Sequence, residues 1–194
     1  IMFAAAILTS TLTARIRRQA KLVALREKTD DLLLQTSRVL MRAHDKESLA
    51  RSISTHLVNL LERPVACYIP ERRGSAEFPA PTTASLDGDS AAAALLEQDE
   101  KAVANWAYDN GREAGCGTDT LPGSAGYYFP IISDDRALAV VGILCGNGKP
   151  LPPGLRRMLM TVAGQIALAV ERELLNAAGQ QAQKEIEREQ LRSN

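Results

Sequence analysis

The residues with chemistry to offer are few and scattered. Cys67, Cys116 and Cys145 lie far apart, and the two histidines are His44 and His56. An odd number of widely spaced thiols fits neither a disulfide framework nor a Cys-x-x-Cys metal or redox pair, and it suits a reducing compartment. Dispersed His, Cys and Asp supply no zinc-type ligand set, so no metal and no cofactor is expected. No Gly-x-x-x-x-Gly-Lys-Ser/Thr phosphate loop is present. The densest concentration of polar groups is the run from Gly111 to Gly126, with five glycines, Pro122, Arg112, Cys116, Thr118, Asp119 and Thr120. Hydroxyls, a carboxylate and free backbone N–H groups in such a loop can converge on a ligand. They can equally satisfy one another, so both readings stay open.

Cys116, between two glycines, is expected to be the most exposed thiol, with no adjacent Lys, Arg or His to activate it. Cys67 and Cys145 sit in apolar runs and read as small core residues. Trp106, the only tryptophan, could wall a pocket, but a packing anchor between helix and sheet is the favoured reading. With Tyr128 from the following strand, the candidate ligand set is Trp106, Arg112, Cys116, Thr118, Asp119, Thr120 and Tyr128. Asp119 lies in an acidic stretch, which disfavours an anionic ligand unless Arg112 turns inward.

The elements that must position these residues follow from the pattern. The 194 residues suffice for one domain with a real core plus extra helices, and 45% of them are apolar, which excludes a disordered composition. Lys plus Arg balances Asp plus Glu at 23 each, which argues against nucleic acid as a partner. The charge is uneven: residues 15–28 hold six basic residues against Glu27, and Glu97 to Asp119 holds six acids against Lys101 and Arg112.

No Gly or Pro interrupts residues 12–42, where apolar residues recur at helical spacing, so one long helix is expected. Its Leu22, Leu25, Thr29, Leu32, Thr36, Val39 register is an imperfect heptad seam. Asp45 can cap a second helix over about 46–62. Residues 65–69 read as a buried strand, 71–90 as short edge strands and turns, and 99–110 as a helix ended by Gly111. Residues 127–132 form a strand whose Pro130 belongs at a strand start or a sheet edge. The apolar run 137–145 is the central strand. A final long helix from about Leu155 toward Arg192 carries the stripe Leu155, Leu159, Val162, Ile166, Val170, Leu174. Strands bounded by helices from both ends predict an α+β domain, an antiparallel sheet with helices on one face and long helices at both termini.

Residues 1–12 are apolar or small and are followed at once by Arg15-Ile16-Arg17-Arg18. Apolar then basic is the order where a helix leaves a membrane on its cytoplasmic side, so residues 1–12 read as the end of a transmembrane helix. The expected organisation is then 1–12 membrane end, 13–44 linker helix, 45–172 globular domain and 173–194 outgoing helix. A homodimer is expected through the terminal helices at Leu22, Leu25, Leu32, Val39, Leu155, Val162, Ile166 and Val170.

Three runs carry a family resemblance: residues 103–111 (Val-Ala-Asn-Trp-Ala-Tyr-Asp-Asn-Gly), residues 114–124 (Ala-Gly-Cys-Gly-Thr-Asp-Thr-Leu-Pro-Gly-Ser) and Tyr128-Phe129-Pro130. They resemble the GAF domain of KdpD-type sensor histidine kinases. The flanks at residues 14–20, 164–172 and 187–194 are similar to that family too. The resemblance implies a GAF-like fold in the cytoplasmic part of a bacterial inner-membrane protein, with a kinase core beyond it. That core would phosphorylate itself on a histidine and pass the phosphate to a response regulator of potassium uptake. Neither His44 nor His56 has the His-Asp/Glu-x-x-x-Pro context of the phosphoacceptor, so the fragment itself is expected not to be an enzyme. Two alternatives stand beside the relay reading. One is a GAF receptor for a nucleotide or ion; the other is an enzyme like the GAF proteins that reduce methionine sulfoxide through a loop cysteine.

Overall fold

The computed structural model describes residues 29–71, 74, 78–86 and 92–192. The expected membrane end at residues 1–12, most of the linker helix, and Leu22 and Leu25 lie outside them. Among the described residues no helix is long and apolar enough to cross a membrane. The chain divides into two compact units, Ile1–Gln35 and Thr36–Asn194. In the first, residues 29–35 are helical and Leu32 is half-buried. The second unit takes in residues 36–44 as well as the expected globular domain. Thr36 and Leu40 are buried there, and Val39 is half-buried.

Helix α1 spans Lys46–Leu61. Asp45 caps it as the sequence predicts: its carboxylate accepts from the Ser48 amide, and the Ser48 hydroxyl reaches back to accept from the Asp45 amide. The strands are β1 (Val65–Tyr68), β2 (Thr82–Ala84), β3 (Ala114–Gly115), β4 (Gly126–Ser133) and β5 (Arg136–Leu144). They form one sheet in the order β2-β1-β5-β4-β3, antiparallel throughout. The most apolar run, β5, is central as expected, since a strand buried on both faces must be apolar along its whole length. Helix α2 (Gln98–Asn110) ends at Gly111, whose φ of 59° is the left-handed C-cap that glycine tolerates best. Helix α3 runs from Pro153 to Arg192, 40 residues or about 60 Å.

Side chains alternate across the sheet, and the helices sort by face. Helices α1 and α3 pack together on the face bearing Tyr127. Helix α2 covers the opposite face, where Ala66, Tyr68, Tyr128 and Val140 meet Val103, Ala104 and Ala107. The sheet is therefore covered on both sides rather than one.

Strand β3 is only two residues long, so beyond Tyr128 the outer edge of β4 has no strand beside it among the described residues. The Gly126 carbonyl points to that outer edge, where it accepts from the Cys116 amide. Alternation puts Pro130 on the same edge. The sequence expectation of Pro130 at an edge is met by this local gap in pairing, although β4 lies inside the sheet.

The stripe on α3 calls for a correction. Val162, Ile166 and Val170, expected at a dimer seam, are between 0% and 1% exposed and belong to the core with Leu159 and Leu174. Leu155 is half-buried. An apolar stripe at helical spacing serves a core or a partner equally well, and here the sheet occupies it. Ile166→Ala is expected to lower the free energy of unfolding by about 3 kcal/mol. Urea denaturation at two protein concentrations checks this: a loss that vanishes at high concentration would return Ile166 to an intermolecular seam.

Helical residues 36–40 are tied to α1 through Thr36, whose hydroxyl shares a 2.8 Å hydrogen bond with His56 Nε2. Half-burial of His56 lowers its pKa from the ordinary 6.5. The unfolded chain then binds the proton more readily than the folded one. Stability from this residue is present above pH 6.5 and is lost as pH falls below that value. The thermal midpoint should drop more steeply in wild type than in His56→Gln between about pH 7.5 and about pH 5.5. Parallel curves would exclude His56 as the cause.

Candidate functional site

The centre of the α2 face is Glu100, a carboxylate only 6% exposed. Its two oxygens accept from the Ser124 hydroxyl (2.6 Å), the Ala125 amide (2.8 Å), the Gly126 amide (3.1 Å) and the Tyr128 hydroxyl (2.7 Å). A residue in the first turn of α2 thereby holds the end of the glycine-rich segment and the start of β4. Glu100, Val103, Ala104 and Ala107 are spaced as one buried helical stripe. That spacing is the signal by which the sequence could have shown Glu100 to be internal, where charge alone made it one of six acids.

Tyr128 reaches Glu100 because two glycines leave room for its ring. A Cβ on Gly142 would lie 2.6 Å from the ring and one on Gly126 2.8 Å from it. Tyr68 packs edge-on against Tyr128 and Phe78, and donates to the Leu95 carbonyl at 2.8 Å. Burial, then the neighbouring Tyr68 and Glu100, keeps the Tyr128 phenol protonated well above its usual range. Burial likewise pushes Tyr68 up to about 12. Both phenols thus serve as donors in the core, and Tyr128 is buried.

The other candidates separate. Gly111, Arg112, Thr118, Asp119 and Thr120 line a polar cleft of about 440 Å³ with Glu113, Phe129, Pro130 and Arg156. Arg112 and Asp119 are exposed at its rim, so Arg112 does not turn inward. The Thr118 hydroxyl is occupied within the loop, meeting the Gly115 and Thr120 carbonyls at 2.8 Å each. Arg156, from the first turn of α3, pairs with Glu113 and stacks over the Tyr127 ring at 5.7 Å. The sequence singled out neither partner of that bridge. Trp106 is half-buried against the α2-face core, the anchor role expected of it.

Cys116 is a correction. It is 3% exposed rather than the most accessible thiol, and all three cysteines are buried and free. The tight turn around it packs down, so that a Cβ on Gly117 would lie 2.6 Å from Pro150. Among the described residues no cluster of His, Cys, Asp and Glu could hold a metal ion.

No protein-family model matches the chain. Two curated proteins do, along its whole length. The sensor protein KdpD of Clostridium acetobutylicum is 34% identical over 195 residues, and that of Escherichia coli K12 is 28% identical over 194. The chain spans about a fifth of either relative, 21% and 20%. Among solved structures it is similar to the native GAF domain of the potassium sensor histidine kinase KdpD from Escherichia coli. There the TM-score is 0.57 at 24% identity, covering 76% of this chain and 96% of that one. This chain has the GAF fold and is similar along its length to a segment of KdpD sensor proteins. The GAF domain of an Acinetobacter phosphoenolpyruvate-protein phosphotransferase matches in fold as well, with a TM-score of 0.52 at 9% identity over 73% of this chain and 92% of that one. The glycine-rich segment of this GAF domain is thus pinned from within by Glu100 and opens outward as the cleft.

Glu100→Ala is expected to strand the Ala125 amide and the Tyr128 hydroxyl, to leave Ser124 and Gly126 only their bonds to each other, and to cost about 3 kcal/mol or more. Hydrogen exchange should rise first at Ser124, Ala125 and Gly126. Unchanged protection at those three amides would mean that the carboxylate does not hold the loop.

Proposed function

We propose that this GAF domain is a non-catalytic regulatory relay within a membrane-bound sensor histidine kinase that controls potassium uptake. The build of α3 carries the reading. Its N-terminal half is rooted in the sheet by Leu159, Val162, Ile166, Val170 and Leu174, and every residue from Leu175 to Gln190 is exposed. A continuous rod anchored at one end converts small shifts in the body into displacement at the other. The cleft is linked to the same rod. Arg156 belongs to both, and its bridge to Glu113 ties the base of the glycine-rich loop to the first turn of α3. Farther along, the Ser133 hydroxyl donates to Glu171 at 3.1 Å. Whatever alters the loop therefore acts on the helix that would lead toward a kinase core.

In this reading the domain works as a homodimer through its terminal helices. The residues presented for pairing lie opposite the core stripe of α3: Leu168, Leu175 and Ile186 are 62%, 60% and 50% exposed, with Ala178 and Ala182 between the last two. Their spacing keeps one apolar line along a partner helix. The kinase core of the parent protein would phosphorylate itself and its response regulator, and the apolar-then-basic N-terminus would attach the module to the inner membrane. A second reading, a receptor for a small molecule or ion, is favoured by the cleft itself, whose 440 Å³ falls within the roughly 300–1,000 Å³ of small-molecule sites. Such a ligand would compete for Arg156 or Glu113 and act through the same helix.

The full-length kinase tests the relay. One residue inserted after Gly179 turns everything downstream by about 100°, whereas seven residues restore the seam. The single insertion is expected to change autophosphorylation roughly fivefold or more, and the seven-residue insertion to return it near wild type. If the kinase is indifferent to the single insertion, α3 carries no signal.

A further inference from the structure

The cleft between the glycine-rich loop and the first turn of α3 is lined by four charged residues, Arg112 and Arg156 against Glu113 and Asp119, so its formal charge is zero. The four are not equivalent. Arg112 and Asp119 stand exposed at the rim. Arg156 and Glu113 are paired with each other, their side chains 43% and 21% exposed. The Arg156 guanidinium also lies over the Tyr127 ring, 5.7 Å from its centroid. Two buried donors of this stack are unused: Nε of Arg156 and the Tyr127 hydroxyl have no hydrogen-bond partner among the described residues. Glu113 takes Nη2 of Arg156 with one oxygen and leaves Nε without an acceptor. A carboxylate free to align itself would take Nε and Nη2 together, the side-on bidentate pairing that suits a guanidinium best. Beside these charges the lining turns apolar, through Phe129, Pro130 and Ile132.

We propose that the cleft binds a free α-amino acid with an apolar side chain, as its zwitterion, by an exchange of partners in the Glu113–Arg156 bridge. The ligand carboxylate takes Arg156 and the ligand ammonium takes Glu113. This names the ligand class for the second of the two readings above and rests on that reading.

Charge balance carries the assignment. A simple anion that displaced Glu113 from Arg156 would leave a largely buried carboxylate without its cation. An amine that claimed Glu113 would leave Arg156 in the same condition. A molecule carrying both charges a short distance apart opens the bridge and strands neither. Phosphate and nucleotides bring further negative charge against Glu113 and Asp119, and a bare metal cation has Arg112 and Arg156 to face. The apolar wall selects among zwitterions, since Ile132 is 44% exposed and offers surface that a hydrocarbon side chain would cover. Occupancy replaces the direct tie between the loop base and α3 with one that runs through the ligand, so the amino acid would set the spacing between Glu113 and the start of the rod.

The test titrates the full 194-residue chain by calorimetry and NMR with L-leucine and its two single-charge counterparts. These are 4-methylpentanoate, which lacks the ammonium, and 3-methylbutylamine, which lacks the carboxylate. L-Leucine is expected to bind saturably and roughly tenfold or more tightly than either, and to move the Arg156 Nε–H and the amide resonances of residues 117–120. Glu113→Gln removes the charge that a lone carboxylate would strand. It should weaken leucine and strengthen 4-methylpentanoate, narrowing their ratio on the order of tenfold. The wild-type comparison decides the matter even if that variant does not fold. Potassium chloride, inorganic phosphate and adenosine triphosphate are titrated in parallel. If 4-methylpentanoate binds wild type as tightly as leucine, the amino-acid assignment falls and the receptor reading stands. The same holds if leucine leaves these resonances unmoved up to about 20 mM while another probe shifts them. If no probe moves them, both fall.

Discussion

A carboxylate held out of water must be surrounded by donors or abandoned to its charge, and Glu100 is surrounded. Two main-chain amides, a serine and a tyrosine converge on it from the end of the glycine-rich segment and the start of β4. Much of the α2 face follows from that convergence. Tyr128 must lie flat to reach it, which requires glycine at 126 and 142. Tyr68 then packs edge-on against the ring with Phe78 on its own edge, and Leu95 fixes the Tyr68 hydroxyl. The loop's inner side is thereby settled, and its outer side becomes the wall of the polar cleft. A hydrophobic residue at position 100 would bury more cheaply, yet it would leave the Ala125 amide and the Tyr128 hydroxyl without their acceptor.

The frame of the molecule was legible because local chemistry agrees with tertiary structure at the element ends. Asp45 with Ser48 opens α1, Gly111 closes α2, and the unbroken apolar run of β5 could only be central. The site was less legible, and the reasons are physical. Glu100 was hidden among acids because counting charge ignores which side of a helix a residue occupies. Tyr128, grouped with the loop as a ligand candidate, donates to Glu100, and sequence alone cannot assign a hydroxyl to a ligand or to a buried carboxylate. Cys116 looked accessible because its neighbours are glycines; those glycines instead let the turn pack tightly beneath Pro150. The apolar stripe of α3 illustrates the commonest ambiguity, since periodicity reports that a face is covered and says nothing about what covers it.

Helix α3 resolves that ambiguity by carrying two apolar lines at different positions around its axis. The line through Leu159, Val162, Ile166, Val170 and Leu174 is consumed by the sheet, and the line through Leu168, Leu175 and Ile186 is left facing water. The first ends where the second becomes the main apolar feature, so the helix changes from core element to free rod at Leu174. Arg156 at its start and Glu171 just before that change are each bonded to the β3–β4 side of the sheet. Polar ties thus bracket the rooted part, and they set its rotation as well as its depth.

Pro130 has a bearing on what happens when two such bodies are brought close. Rods that associate raise the concentration of one sheet around its twin into a range where main-chain pairing between copies becomes competitive. The uncovered rim of β4 would be the natural template for such fusion, since β3 shields only Tyr127 and Tyr128. The pyrrolidine ring stands where a donor would be needed for the ladder to grow, and it makes that rim a poor seed. The cost of a missing amide falls on a position with no strand to miss it, and what it secures is a rim that resists pairing with any strand brought against it.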